Sequence, residues 1–316
     1  MTIIFTTNVY AQEVEKEVVL ACESSFLASS VWIAENKGYF KEEGLNVKIK
    51  EFGSGRTALA TMLNEGGIDI CTVAQTPIMF NSFKRNDYVI VAAMVYADND
   101  VKILARKDKG INKPLDLNGR KVGLTKGSTG HYFSSLFSVL NDVDYSELEI
   151  VDIDATGLTQ ALVDGHVDAI CTWEPYIINT KIILGEKAIE FSTKNLFRED
   201  FYFVTNKIYL KENQDAIRKF LKAIDKGDKF IQNNNELARD IVSNRLEIDK
   251  ELTSLIWDTF NFQLILDQSI FTSLEDQARW AIREGFTDKK EIPNYLDFIY
   301  LDALKEVKPE SVTIIH

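Results

Sequence analysis

One segment of this chain occurs twice. Leu63-Asn64-Glu65-Gly66-Gly67-Ile68-Asp69-Ile70 returns as Leu162-Val163-Asp164-Gly165-His166-Val167-Asp168-Ala169, 99 residues later. In both copies a helical pattern stops at an acidic residue followed by Gly, which supplies the left-handed backbone that ends a helix. An Ile or Val, an Asp and a short apolar strand follow. Each copy then reaches a polar residue and a proline: Gln75 with Pro77, Glu174 with Pro175. A Gly-x-[Ile/Val]-Asp match alone is weak, but its return in the same helix–stop–strand setting says that two lobes use one strand–helix–strand unit. At 316 residues the chain also exceeds the roughly 250–300 at which single cores stop growing.

The flanking pattern agrees. Residues 46–52 alternate apolar and polar, Gly53-Ser54-Gly55 precedes a helix at about 57–65, and 88–95 reads as a buried strand. Lys102–Arg106 is another strand, and a second series follows: Lys121–Leu124, a helix over 132–140, a strand over 148–153, a helix over 158–163 and a strand over 167–172. Short Val/Ile-rich strands alternating with helices predict an α/β fold with a parallel sheet in each lobe. From about residue 210 the chain turns helical. Ile217, Phe220, Leu221 and Ile224 share one helix face. Ser273-Leu274-Glu275-Asp276 reads as a capping box opening the helix that holds Trp280, and Leu296, Ile299, Tyr300, Ala303 and Leu304 repeat the stripe. These stripes are assigned to packing.

Charge narrows the partners. Lys and Arg total 36 against 48 Asp and Glu, a net −12, with no basic run to offset it. Such a chain repels phosphate backbones, so no nucleic-acid partner is expected. No stretch approaches the ~20 consecutive apolar residues of a spanning helix. Residues 1–11 are uncharged, contain Ile3-Ile4-Phe5 and end in Val9-Tyr10-Ala11 before a charged stretch. Val-x-Ala reads like the tail of a secretory signal peptide cleaved after Ala11, although a basic n-region is missing; a start further upstream or a plain terminus are the alternatives. Cys22, Cys71 and Cys171 each sit in an apolar, strand-like run without metal-ligand spacing, so core thiols are expected and no metal site or disulfide framework.

Ligands in open α/β sheets bind beyond the carboxyl ends of strands. Two loops there are legible: Gly53-Ser54-Gly55-Arg56 in the first lobe and Lys126-Gly127-Ser128-Thr129-Gly130-His131 in the second. Gly permits close backbone approach, and the following helices offer unpaired N–H groups with a partial positive charge. Facing each other, the two loops would clamp an anion; the competing reading is that each merely caps its helix. Neither is a P-loop. Arg56 would add a bidentate contact or simply start a helix in solvent, and Lys126 reads as solvated. His131 would donate to a bound oxyanion or lie on the surface. Trp173-Glu174 would stack on and hydrogen-bond an organic ligand, or be a core Trp with a capping Glu; because Gln75 holds the matching position, a cleft-facing role is expected for Glu174. Ser29, Ser30 and Trp32, after the first strand, are the third group of candidates.

The run Ile33-Ala34-Glu35-Asn36-Lys37-Gly38-Tyr39-Phe40-Lys41-Glu42-Glu43-Gly44-Leu45-Asn46-Val47 resembles the opening of periplasmic solute-binding proteins of the nitrate/sulfonate/taurine-binding type, a group that includes thiamine-pyrimidine-synthase-like proteins. The likeness continues through Gly53-Ser54-Gly55, Gly67-Ile68-Asp69-Ile70, Leu117-Asn118-Gly119-Arg120-Lys121-Val122-Gly123, and Val167-Asp168-Ala169 with Trp173-Glu174-Pro175-Tyr176. It implies a two-lobed periplasmic-binding-protein fold (type II) with mostly parallel sheets and a helical C-terminal region. The chain would cross twice, near Asp100–Arg106 and Asp200–Asn206, giving lobe I at 17–103 and 204–316 and lobe II at 104–203. It further implies a periplasmic monomer that hands a small organic anion or related solute to an ABC transporter permease after hinge closure, with no cofactor and no enzyme chemistry. Ligand contacts are then expected at Ser29 and Trp32, at Ser54, Gly55 and Arg56, and at Gln75 and Thr76 in lobe I. Ser128, Thr129, Gly130 and His131, with Trp173 and Glu174, supply those of lobe II. Pyrimidine-synthesising relatives use a Cys-rich motif and a sacrificed His, and no such Cys cluster occurs here. The alternatives are a thiamine-pyrimidine-type binding protein or enzyme, and a ligand-sensing receptor for a signalling partner.

Overall fold

The computed structural model describes residues 15–191, 194 and 197–315; the signal segment expected at 1–11 lies outside them. Among the described residues, eleven strands form two sheets. In chain order they are β1 Lys16–Glu23, β2 Leu45–Phe52, β3 Ile70–Ala74, β4 Tyr88–Ala97, β5 Lys102–Arg106, β6 Lys121–Leu124, β7 Glu149–Asp152, β8 Ala169–Thr172, β9 Ala188–Phe191, β10 Glu199–Asn206 and β11 Phe260–Ile265. The first sheet has the order β11-β4-β10-β3-β1-β2 and the second β7-β6-β8-β5-β9. In each, the strand–helix–strand units give the parallel pairs, β2-β1-β3 and β7-β6-β8. The strands next to the crossings run antiparallel, β10 against β3 and β5 against β8, so both sheets are mixed.

The chain passes between sheets twice, after β4 and after β9. The boundaries expected at 103/104 and 203/204 fall inside β5 and β10, each of which belongs whole to one sheet. Hydropathy could not show this, because β10 is buried along nearly its full length and carries no break where the crossing ends.

The repeated segment does the same work in both lobes. Gly66 and Gly165 take φ of 76° and 78° and stop their helices. The Asp three residues on then pins the neighbouring parallel strand: Val19 N–H donates to Asp69 Oδ2 at 2.8 Å, and Lys121 N–H to Asp168 Oδ2 at 3.1 Å. Gly55 and Gly130 form a second matched pair. A Cβ on Gly55 would lie 2.8 Å from Val73 Cα, and one on Gly130 2.8 Å from the Cys171 carbonyl oxygen. Only glycine lets these helices, Gly55–Asn64 and Thr129–Leu140, approach β3 and β8 so closely.

The C-terminal third packs on the first sheet. Ile217, Phe220, Leu221 and Ile224 are buried on the helix Gln214–Asn233, and Gly227 lets that helix approach the Ser30 carbonyl. Two details differ from the pattern reading. The helix holding Trp280 starts at Ser269 rather than at the Ser273 box. The stripe from Leu296 breaks into a 3-10 turn, Tyr295–Phe298, and a helix, Asp302–Val307, because Ile299 bridges to Ile90 at the sheet edge instead.

Candidate functional site

The carboxyl ends of β1, β3 and β8 meet the two Gly/Ser loops in a tight cleft. The first lobe contributes Glu23, Ser54, Gly55, Arg56, Ala74 and Pro77, and the second Ser128, Thr129 and Trp173; Glu199 and Phe201 come from β10 where the chain returns. Six of the thirteen expected contacts are therefore together: Ser54, Gly55, Arg56, Ser128, Thr129 and Trp173. The lobes touch at the rim, where Tyr176 Oη donates to the Gly53 carbonyl at 2.8 Å.

The loops are held from within. Ser54 Oγ accepts Thr57 N–H at 3.2 Å, and Ser128 Oγ donates to the Thr125 carbonyl at 2.7 Å. Gly55 N–H donates to Glu23 Oε2, and Thr72 Oγ1 accepts Glu23 N–H at 3.0 Å. Glu199 lies against Asp100 and Thr129. Burial pushes the Glu23 carboxyl up to about 8 and that of Asp100 to about 7, and raises that of Glu199, which Asp100 also crowds.

The other seven candidates do not line that cleft, although His131 lines the basin beside it together with Arg56. Ser29 Oγ donates to the Phe26 carbonyl at 2.6 Å. Trp32 is buried, donates Nε1–H to the Ser25 carbonyl at 3.2 Å, and carries the Arg245 guanidinium 4.4 Å from its ring centroid. Both sit inside the helix Ser29–Asn36, not on the loop before it. Thr76 Oγ1 donates to Gln277 at 2.7 Å. Gly130 serves helix packing. His131 does not offer a charged donor: burial, then Lys126, push its imidazole down to about 4, and its ring packs against Phe80, Trp280 and Phe286.

Gln75 and Glu174 share a role at the crossings. Gln75 accepts Asp200 N–H at 3.0 Å and donates to the Arg198 carbonyl at 3.1 Å, so it grips the second crossing. Glu174 pairs with Lys102 at 2.7 Å, accepts Ile178 N–H at 2.9 Å, and donates its own N–H to Asp100 at 3.3 Å, which grips the first. The repeat thus places one anchor per lobe on the crossing segments.

Sequence reasoning missed Glu23, Glu199 and Phe201. Glu23 had a signal, a carboxylate closing the apolar run 18–22 at the carboxyl end of a strand. Glu199 and Phe201 had none, because only the antiparallel course of β10 brings its first residues to that end of the sheet. No cluster of His, Cys, Asp and Glu able to hold a metal occurs among the described residues. All three cysteines are free and buried, and burial pushes their thiols up, which suits packing and not nucleophilic chemistry.

The model of the NMT1/THI5-like family matches residues 28–238. The chain is 25% identical over 299 residues to a putative aliphatic sulfonates-binding protein of Bacillus subtilis, covering 92% of this chain and 89% of that one. Its fold is similar to that of the alkanesulfonate-binding protein SsuA from Xanthomonas axonopodis pv. citri bound to MOPS, with a TM-score of 0.79 and 14% identity over 90% of this chain and 98% of that one. The periplasmic nitrate-binding protein NrtA from Synechocystis PCC 6803 gives a TM-score of 0.75 and 16% identity, covering 93% and 89%. The two-lobed periplasmic-binding-protein fold follows.

Proposed function

We propose that this chain, which belongs to the NMT1/THI5-like family, is the solute-binding component of an ABC importer. The observation that carries the reading is the cleft, walled by both lobes and joined behind by two crossing segments. A solute touching both walls makes its full set of contacts only when the lobes are together. It therefore shifts an open–closed equilibrium by its differential affinity, and closure is what a permease reads. No covalent step is required.

The names of relatives that bind aliphatic sulfonates, alkanesulfonate and nitrate support a small-molecule ligand. The partner is a transporter permease, and the receptor works as a monomer outside the cytoplasm; the signal-like segment at 1–11 supports that placement. The test is a thermal-shift screen of refolded, ligand-stripped protein against taurine, alkanesulfonates, nitrate, bicarbonate and thiamine-type pyrimidines. Solute at a hundred times its dissociation constant adds about 2.7 kcal/mol. A rise for one class that is lost in Trp173→Ala supports the proposal, and no rise for any of them with folded protein overturns it.

A further inference from the structure

The places where the two Gly/Ser loops would hold an anion are occupied by the protein's own carboxyls. At the first loop Gly55 N–H goes to Glu23 Oε2 and Thr57 N–H to Ser54 Oγ, so these first-turn donors are spent. At the second, Thr129 stands against the Glu199 carboxyl. Glu23 and Glu199 are each only 3% exposed, yet both line the cleft. Each keeps one oxygen, Glu23 Oε1 and Glu199 Oε2, without a hydrogen bond of normal geometry among the described residues; Trp173 and Ser25 stand near the first carboxyl, and Asp100 and Thr129 near the second. A buried carboxyl oxygen without a donor is costly, so the arrangement calls for one from the ligand.

The charges around these oxygens point the same way. Asp100 stands behind Glu199 and adds a third carboxyl. Lys102 is the nearby base, but Glu174 consumes its charge in a pair 2.7 Å long. His131 is neutral at physiological pH, for the burial described above. Arg56 also lines a neighbouring basin, where Lys84 and Lys126 outnumber the one carboxylate, Asp154. The inner wall is acidic and the basin mostly basic. Trp173 and Phe201 complete the inner wall and offer an apolar surface on which a cation is attracted to the ring face.

We propose that the ligand enters with a protonated nitrogen, an ammonium or amidinium on a small organic body, held between Glu23 and Glu199, and that any acidic group it carries points outward to Arg56. The inference rests on the solute-receptor reading above and sharpens it to a ligand class. A purely anionic solute driven to the same depth meets three carboxyls and no unshared base. The raised carboxyl of Glu23 fits this, since a carboxyl without a counter-charge holds its proton until a cation arrives.

Calorimetric titration of the ligand-stripped protein with matched pairs tests the class. The pairs differ only at nitrogen: taurine against isethionate, β-alanine against 3-hydroxypropionate, acetamidine against acetamide. The nitrogen cation is expected to bind at least ~100-fold tighter within a pair, and Glu23→Gln and Glu199→Gln each to cut its affinity ~30-fold or more. Equal or tighter binding of the partner lacking the cation overturns the inference and leaves the receptor reading intact. So does unchanged affinity in a folded Glu23→Gln protein, because a neutral amide can replace a protonated acid but not a carboxylate. The wild-type comparison decides even if a variant fails to fold. If neither these solutes nor sulfonates or nitrate bind folded protein, both readings fall together.

Discussion

Removing the Glu174 charge should cost this protein a substantial part of its stability. Lys102 Nζ and Glu174 Oε1 lie 2.7 Å apart with side chains 4% and 2% exposed, so in Glu174→Gln the ammonium stays buried while its partner's charge is gone. The substitution keeps an amide oxygen as an acceptor for Ile178 N–H but turns an NH2 donor toward the ammonium in place of Oε1. Leaving one member of a buried pair uncompensated costs roughly 3–5 kcal/mol. Asp100 also feels Lys102 and takes up part of the charge, which places the expected loss near the lower end, about 3 kcal/mol. Lys102→Met should cost about as much, because it strands the carboxylate. The double variant removes both charges, and its loss should fall well below the sum, with a coupling of about 2 kcal/mol or more. Urea unfolding at pH 7, followed by far-UV circular dichroism, measures all four proteins. A Glu174→Gln loss under about 1 kcal/mol, or additive singles, would show that the pair is not the buried anchor described here.

Three further outcomes follow from the same geometry. Gly130→Ala places a Cβ 2.8 Å from a backbone oxygen and should destabilise by about 1–3 kcal/mol; Gly157→Ala, whose nearest neighbour is an Ile153 methyl at 3.2 Å, should melt within a degree or two of wild type, and equal melting points for both would contradict the packing argument. The raised carboxyls of Glu23, about 8, and Asp100, about 7, hold protons in the folded state that the unfolded chain has released, so their stabilisation is complete below about pH 4 and is lost as pH climbs through their folded values. His131, pushed down to about 4, works the opposite way only below its ordinary value near 6.5, which leaves pH 6.5–8 free of it; Asp228, raised to about 7, and Glu199, also raised, act there in the same direction as Glu23. There stability should fall with Glu23 contributing about 2 kcal/mol, and Glu23→Gln should flatten the slope; a flat wild-type profile refutes the assignment. Tyr176→Phe removes the cross-lobe bond to Gly53 and should weaken solute binding about 5–10-fold in a calorimetric titration, whereas unchanged affinity would mean that this contact takes no part in closure.

How much of this was legible in the sequence depended on whether a constraint was local. The repeat, the glycine stops and the Ser54 and Ser128 loops were readable because each rests on backbone conformation within a few residues. The helix face of Ile217, Phe220, Leu221 and Ile224 was readable for the same reason. The roles of Gln75 and Glu174 were not, although their equivalence was: both partners, at Arg198–Asp200 and at Asp100–Lys102, belong to crossings whose course no period reveals. His131 misled because a polar residue at a helix start looks like a donor until Trp280 and Phe286, some 150 residues on, arrive to bury it. Glu199 was invisible because the inner wall depends on the direction of β10. The acidic inner wall is thus a tertiary property, and a loop-by-loop reading found only the anion-like half of the site.

Closure around a solute is the claim on which the rest stands, and the distance between the lobes beside the cleft measures it. Lys84 and Lys126 belong to opposite lobes and line the same basin there. The three native thiols are buried, so spin labels on Lys84→Cys and Lys126→Cys report alone. Pulsed electron–electron resonance should give a longer or broader distance distribution for ligand-stripped protein and a single shorter one once calorimetry shows a solute bound. Identical distributions with and without bound solute would contradict the account.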